Sequence, residues 1–440
     1  MSQLLKPGDL IDSENLKSRG KVEKFLGGGT QGEVYQIDIE GKKMALKWYF
    51  PQWIQHDIRQ KERLRKAIDF GAPNDRFLWP MDLAFCSGSN SYGYIMPLRE
   101  SRFKGIVDLM KRQVEPTFRS LATAGFELAD SYYQLHSKGL CYRDIAFGNV
   151  FFDPDSGEIR ICDNDNVDVN GTPGAVDGTP RFMAPEIVRG EAAPTTQTDL
   201  FSLAILLFYM LFVHHPLEGA REQAIHCFDF LAMQKLYGIE PIFIFDPDDT
   251  SNRPVAGVQD NPIAFWSIYP QFLKDIFIKA FTDGIRDPEQ GRVRESEWRN
   301  AMIRLRDSIF YCPYCGAENF YDVEALKHNK RLNYCWSCDE DLLIPPRIRI
   351  GRNVVILNYD TQLFAHHVDQ QRCYDFLNPV AEVNRHPRNP HLWGLKNLSE
   401  QCWTVTMADK TVQQVKPGFS VSLAMGTKIN FGSTYGEIRA

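Results

Sequence analysis

The feature that most narrows the folds open to this chain is the stretch Tyr142-Arg143-Asp144-Ile145-Ala146-Phe147-Gly148-Asn149. It follows a run over 118–137 with apolar residues at helical spacing (Leu121, Ala124, Leu128, Ala129, Tyr132, Leu135) and precedes the apolar run Val150-Phe151-Phe152. A carboxylate and a carboxamide thus stand five positions apart in a connection between two ordered segments. An acid so placed can orient a hydroxyl, and an amide oxygen can hold a metal ion. Alone, an Asp-x4-Asn pattern is common in loops; its weight comes from what precedes and follows it.

Upstream, Val22 to Phe25 and Glu33 to Ile39 read as strands on either side of Gly27-Gly28-Gly29-Thr30-Gln31-Gly32. Strand on both sides predicts a hairpin, whereas a dinucleotide fingerprint should open a helix. Glycines permit a tight turn and let backbone N–H groups approach phosphate oxygens. Met44-Ala45-Leu46-Lys47 is an apolar strand ending in a lysine fifteen residues after Gly32, directed either to solvent or to phosphates. A charged helix is expected over about Ile54 to Ile68, with Glu62 the acid best placed to partner Lys47 and Asp57 in reserve. Leu78 to Phe85 and Tyr92 to Met96 read as strands, and Met96-Pro97-Leu98 as a hinge.

Downstream, Ile159 to Cys162 reads as a short strand with Asp163 at its end, where a carboxylate can chelate magnesium. Asp165 and Asp168 crowd nearby. Residues 164–182 are polar and glycine-rich, with Asn170-Gly171-Thr172-Pro173-Gly174, and are expected to form a mobile loop. It runs into Gly178-Thr179-Pro180-Arg181-Phe182-Met183-Ala184-Pro185-Glu186. Asp199 then heads the apolar run Leu200 to Val213. At about 1.5 Å per residue that run is too short for a bilayer of about 30 Å, and it reads as a buried core helix.

Taken in order, these residues resemble a eukaryotic-like serine/threonine protein kinase over residues 20 to 308. The resemblance implies a bilobal α+β kinase fold, an amino-terminal lobe at 1–97 and a larger lobe at 98–308, with ATP and magnesium as cofactors. Gly27, Gly29 and Gly32 would cover the phosphates, Val34 and Ala45 would enclose the adenine, and Met96 would line the hinge. Lys47 would hold the α- and β-phosphates, oriented by Glu62. Asp144 would orient the substrate hydroxyl, and Asn149 and Asp163 would bind magnesium. Arg143 would pair with a phosphorylated loop residue, with Thr172 the first candidate. Thr179 would pack beside Asp144, which favours serine or threonine as acceptor, and Glu186 would pair with Arg292. The sequence departs from the family twice: Tyr142 stands where histidine is usual, and Asp163-Asn164-Asp165 replaces Asp-Phe-Gly. Neither change removes a phosphate or metal ligand. The alternative reading is an ATP-binding pseudokinase scaffold that acts through its carboxy-terminal region.

Of ten cysteines, four form two Cys-x2-Cys pairs, Cys312/Cys315 and Cys335/Cys338, with nineteen residues between the inner two. Two such knuckles offer the four-thiolate shell of structural zinc, and the region (309–345) resembles a zinc ribbon. Lys327, Asn329, Lys330 and Arg331 between them read as a solvated hairpin tip. From 346 to 440, short strand-like segments recur, the pattern of an all-β sandwich. Gly351-Arg352, His366, Asn397-Leu398-Ser399 and the closing Leu423, Gly426, Ile429 and Gly432 resemble a forkhead-associated (FHA) domain, which implies binding of a phosphothreonine peptide through Arg352. Leu363 and Gln401-Cys402 depart from that family's contact and loop positions, so a docking role without phosphothreonine stays equally open.

A net charge of −6 gives no support for nucleic-acid or membrane-surface binding. Residues 1–20 lack an apolar signal core, and the scattered cysteines suit a reducing compartment, so a cytoplasmic protein is expected. The domain order resembles bacterial kinases found with a metal-dependent protein phosphatase and a von Willebrand A-type protein in tellurite-resistance systems. That implies a protein substrate and those two partners.

Overall fold

The computed structural model describes residues 3–172, 176–329, 334–386 and 388–439. Pro173 and Gly174 of the expected loop, and Lys330 and Arg331 of the expected hairpin tip, lie outside the described residues. The chain divides into two compact units, Met1–Ser267 with Lys274–Asn300 and Ile268–Leu273 with Ala301–Ala440.

The first unit begins with six strands: β1 (Leu10–Ser13), β2 (Arg19–Gly28), β3 (Gly32–Ile39), β4 (Lys42–Tyr49), β5 (Asp82–Phe85) and β6 (Tyr92–Pro97). They close into a barrel in the order β1-β2-β3-β4-β6-β5. Successive side chains of a strand point to opposite faces, and β4 shows what that does here. Met44, Leu46 and Trp48 join one apolar core with Ile11, Val22, Tyr35, Ile37 and Ile95. Ala45 and Tyr49 face a second cluster with Leu64, Leu83, Tyr94 and Met96. Lys47 shares their face, so its ammonium is delivered to a packed surface and not to solvent.

The charged segment after β4 forms two helices, α1 (Pro51–His56) and α2 (Gln60–Phe70), where one helix was expected over 54–68. The break falls at Asp57, whose carboxylate takes up the Arg63 guanidinium. The strand expected over 78–85 is confined to β5, because Leu78 N donates to Ile161 O at 2.8 Å and Pro80 has no N–H to give.

The helical part is built around Phe118–His136 and Thr196–Phe212. The latter is buried over nearly its whole length, as its all-round apolar sequence demands. Thr195 caps it, and its side chain accepts from Thr198 N. No helix among the described residues is long and apolar enough to cross a membrane. Two small antiparallel pairings frame the Tyr142 stretch. Val150–Phe152 pairs with Ile159–Ile161, and Leu140–Cys141 pairs with Asp168–Val169.

In the second unit the hairpin Ile309–Tyr311/Glu318–Phe320 carries the first cysteine pair. Beyond it lie a six-stranded and a four-stranded antiparallel sheet. Inward residues of both, among them Ile348, Leu363, Ala381, Leu395, Trp403, Val421 and Ile429, make one core. Ten strands make up the two sheets, Gln362–Phe364 and Tyr435–Arg439 among them.

Candidate active site

A cleft of about 1120 Å³ in the first unit is lined by the glycine turn, Val34, Ala45, Lys47, Met96, Asp144, Asn149, Asp163 and Thr179. The structure thus gathers residues that lie more than a hundred positions apart. The glycines differ in what they do. A Cβ at Gly32 would sit 2.1 Å from the Trp48 carbonyl oxygen, so only glycine lets β3 pass β4 there. Gly27 and Gly29 face open space.

Asp144 is fixed from two sides. Thr179 Oγ1 donates to its Oδ1 at 2.7 Å, and Asn149 Nδ2 donates to its Oδ2 at 3.1 Å and its carbonyl at 2.8 Å. Turning its amide nitrogen to Asp144 leaves the Asn149 oxygen as the acceptor available to a cation. The stretch is braced from below by Asp199, which is buried and accepts Tyr142 N at 2.5 Å and Arg143 N at 2.9 Å. Those bonds hold Arg143 at φ +75°, a conformation that non-glycine residues adopt only when their surroundings enforce it. His136 Nε2 lies 3.1 Å from the same carboxylate, and its Nδ1 meets Glu295. Burial disfavours charge on His136, but the bonds to Asp199 and Glu295 outweigh it and raise its pKa to about 9.

The two departures in this region are filled by polar contacts. The Tyr142 hydroxyl donates to the Cys162 carbonyl, and its ring meets Tyr132 edge-on at 5.5 Å. Asn164, fully buried, donates from Nδ2 to Leu78 O at 2.9 Å and Ile161 O at 3.1 Å. Hydrogen bonds to backbone carbonyls therefore anchor the strand end before Asp163. Asp163 itself sits at φ +57°, ahead of a 3-10 turn over Asn164–Asn166.

Lys47 Nζ contacts Asp163 Oδ1, both Asp165 oxygens (3.1 and 3.0 Å) and Gln31 Oε1 (2.5 Å). Burial alone would depress the ammonium, but the two carboxylates outweigh it and hold its pKa above the usual lysine value. Burial pushes the Asp163 carboxyl up, against the pull of Lys47. Glu62 is not at this site. The expectation that it orients Lys47 is corrected: its side chain is 65% exposed and pairs with Lys66 one helical turn on. Asp57, the reserve, is engaged with Arg63. The buried polar residue of α2 is Gln60, two positions and about 200° of helix before Glu62. Sequence reasoning missed the parts played by Asp165, Gln31, Tyr49 and Gln60. The signal available was alternation for Tyr49, which shares a strand face with Lys47; Asp163 and Asp165 stand on a left-handed residue and a 3-10 turn, where a spacing of two defines no common face.

Arg143 Nη2 donates to Thr172 Oγ1 and Thr172 O, both at 2.7 Å, so the arginine and the candidate threonine are brought together. Arg292 clasps both Glu186 oxygens, at 3.0 and 2.9 Å.

Residues 90–267 match the family model of the protein kinase domain. That stretch, less than half of the chain, is similar to protein kinase domains. The matched stretch holds Asp144, Asn149, Asp163, Thr179 and Asp199, and it begins after β4. The chain is 32% identical over 216 residues to "Protein kinase C delta type" of Mus musculus (46% of this chain, 30% of that one). It is 27% identical over 240 residues to "Serine/threonine-protein kinase pkn2" of Myxococcus xanthus (47% and 26%). It is 26% identical over 222 residues to "Protein kinase C-like 2" of Schizosaccharomyces pombe (49% and 21%). The chain thus spans under a third of the length of these relatives.

In the second unit, one ligand atom from each of Cys312, Cys315, Cys335 and Cys338 lies within 4.8 Å of the others. Asn319 Nδ2 and Ser337 N both point at Cys335 Sγ, at 3.5 Å. Arg352 is exposed, beside Gly351 at φ +56°. Leu363 lies in the sandwich core, fully buried, where it has no access to a peptide phosphate.

Proposed function

We propose that this chain is a protein serine/threonine kinase that passes the terminal phosphate of ATP to a protein hydroxyl. The observation that carries the reading is Asp144, held by Thr179 and Asn149 on the same cleft that Lys47 and Asp163 line. Phosphoryl transfer is accelerated mainly by positioning and by neutralising charge, and these residues serve both ends. Asp144 orients the acceptor hydroxyl and takes its proton as that oxygen bonds to the phosphorus and the bond to the ADP oxygen breaks. Lys47 holds phosphate oxygens. Asn149 and Asp163 offer the hard oxygen donors that magnesium prefers, and the ion supplies charge neutralisation when bound. Val34, Ala45 and Met96 supply the apolar walls for a base.

In the same proposal, residues 1–97 and 98–308 act as the two kinase lobes, and 309–345 form a structural zinc ribbon supported by the four converging thiols. The sandwich at 346–440 serves as an FHA-like docking module. Its phosphate recognition rests on Arg352, since Leu363 is sequestered in the core. The order of these parts supports work beside a protein phosphatase and a von Willebrand A-type protein.

The test is intact mass of the chain after incubation with ATP and magnesium, with Asp144→Ala alongside and a generic protein substrate added. Wild type should gain whole phosphate groups or phosphorylate the substrate, and the variant should lose about 10²–10⁴-fold in rate. Silence from wild type, with nucleotide binding intact, turns the reading to the scaffold.

A further inference from the structure

We propose that Asp165 is the positioning acid of Lys47, so that one loop supplies both the carboxylate that orients the lysine and the carboxylate that faces the cation. The proposal deepens the phosphotransfer reading and rests on it for its kinetic arm.

A buried ammonium without an acid is expensive, and Lys47 is only 6% exposed at its side chain. Helix α2 brings it none. Glu62 is in solvent with Lys66, Asp57 is held by Arg63, and the polar α2 side chain that does point inward is the neutral amide of Gln60. The acid comes instead from the turn after Asp163. Asp165 has no side-chain exposure, and both of its oxygens lie within 3.1 Å of Lys47 Nζ. Tyr49, on the same face of β4, donates its hydroxyl to Asp165 Oδ2, and Gln60 Nε2 lies 3.5 Å from that oxygen. Asp165 is therefore enclosed by the lysine, a phenol and an amide, and has no exposed surface to offer a ligand.

Asp163 differs. Its side chain is 32% exposed, it lines the cleft, and among the described residues Lys47 is its one side-chain partner at hydrogen-bond distance. The two acids divide the work: the sealed one sets the lysine and the open one meets the cation. The Asp163-Asn164-Asp165 order makes this possible. Asn164 turns away to the Leu78 and Ile161 carbonyls while the acids on either side converge on one ammonium. A displacement of α2 would then leave Lys47 paired, whereas a rearrangement of residues 163–165 would remove its acid and the cation ligand in one step.

The experiment uses the full chain as wild type, Asp165→Asn, Asp165→Asn with Gln60→Glu, Glu62→Gln and Tyr49→Phe. Readouts are melting temperature, affinity for magnesium-ADP, and kcat and KM for ATP. Asp165→Asn should weaken magnesium-ADP binding and lower kcat/KM by about 100-fold, while Glu62→Gln matches wild type. Gln60→Glu should restore part of the loss by returning an acid from the helix, a rescue that a purely structural role for Asp165 does not predict. If Asp165→Asn melts early, Tyr49→Phe serves as the comparison: it strips the same carboxylate of a partner but keeps the acid, so at matched loss of stability it should bind magnesium-ADP more tightly than Asp165→Asn, and equal affinities overturn the proposal. Unchanged affinity and KM in a folded Asp165→Asn overturn the proposal, as does a Glu62→Gln defect of equal size. If wild type transfers no phosphate, the phosphotransfer reading fails by itself, and the magnesium-ADP affinities still decide the role of Asp165.

Discussion

The two sides of the cleft are braced in different ways. The Asp144 side is held by one buried carboxylate, Asp199, which fixes two successive amides and is itself seated on His136. The lysine side is held by a convergence of three segments, at Gln31, Lys47 and Asp163–Asp165, with the nearest helix contributing only an amide. The difference teaches where a chain stores its geometry. Asp144 and Asn149 are close in sequence and carry much of their arrangement locally. Lys47 meets partners 116 and 118 positions away, and their meeting depends on how whole elements pack.

The sharpest way to break this comparison is Asp199→Ala. It strips the acceptor from two buried amides and from a charged histidine, at a cost of about 3–5 kcal/mol. Phosphate transfer should fall by about 100-fold as Arg143 relaxes from its left-handed conformation. Denaturant unfolding and initial rates check both; a loss no larger than that from Glu62→Gln would remove the asymmetry.

Next in size is the response to pH. The His136 pKa in the folded chain, about 9, lies above the unfolded value of 6.5. The stabilisation is therefore complete below about pH 6.5 and is lost as pH rises through about 9, a change on the order of 3 kcal/mol. Denaturation midpoints at pH 6.5, 8 and 9.5 should decline, and His136→Gln should flatten the decline.

Tyr142→Phe is smaller. It leaves the Cys162 carbonyl without its donor, which costs about 1–2 kcal/mol. The melting temperature should drop while ATP still binds. The smallest expected effect is that of Glu62→Gln, whose exposed carboxylate has only Lys66 to lose. Its melting temperature and transfer rate should match wild type, and a clear defect in either would contradict the placement of α2.

The sequence carried the strands on either side of the glycine turn, the Phe118–His136 helix, the buried apolar helix and most of the carboxy-terminal strands, because each shows its own period. It did not carry β1, Gln362–Phe364 or Tyr435–Arg439, which at three to five residues are too short to show a period of their own. Nor did it show the break between α1 and α2, which falls where Asp57 pairs with Arg63 and is marked by neither Pro nor Gly. Among the cleft residues, Asp144, Asn149, Asp163 and Lys47 were nameable from motif spacing, and Thr179 from the kinase resemblance alone. Glu62 failed because helical spacing says which residues share a face, not which face turns inward. Asp165 looked like one more acid in a polar turn, and only packing shows that it is sealed against Lys47.

One more consequence follows from β1. By pairing with both β2 and β5 it closes the barrel, and Asp82 secures the entry by accepting the amides of Asn15 and Leu16. Every strand of that sheet then has neighbours on both sides. A chain shortened to begin after Ser13 would carry two newly bared edges, along β2 and β5, each a row of unmet N–H and C=O groups ready to accept a strand from another molecule. Four residues far from the chemistry thereby act as a guard against self-association.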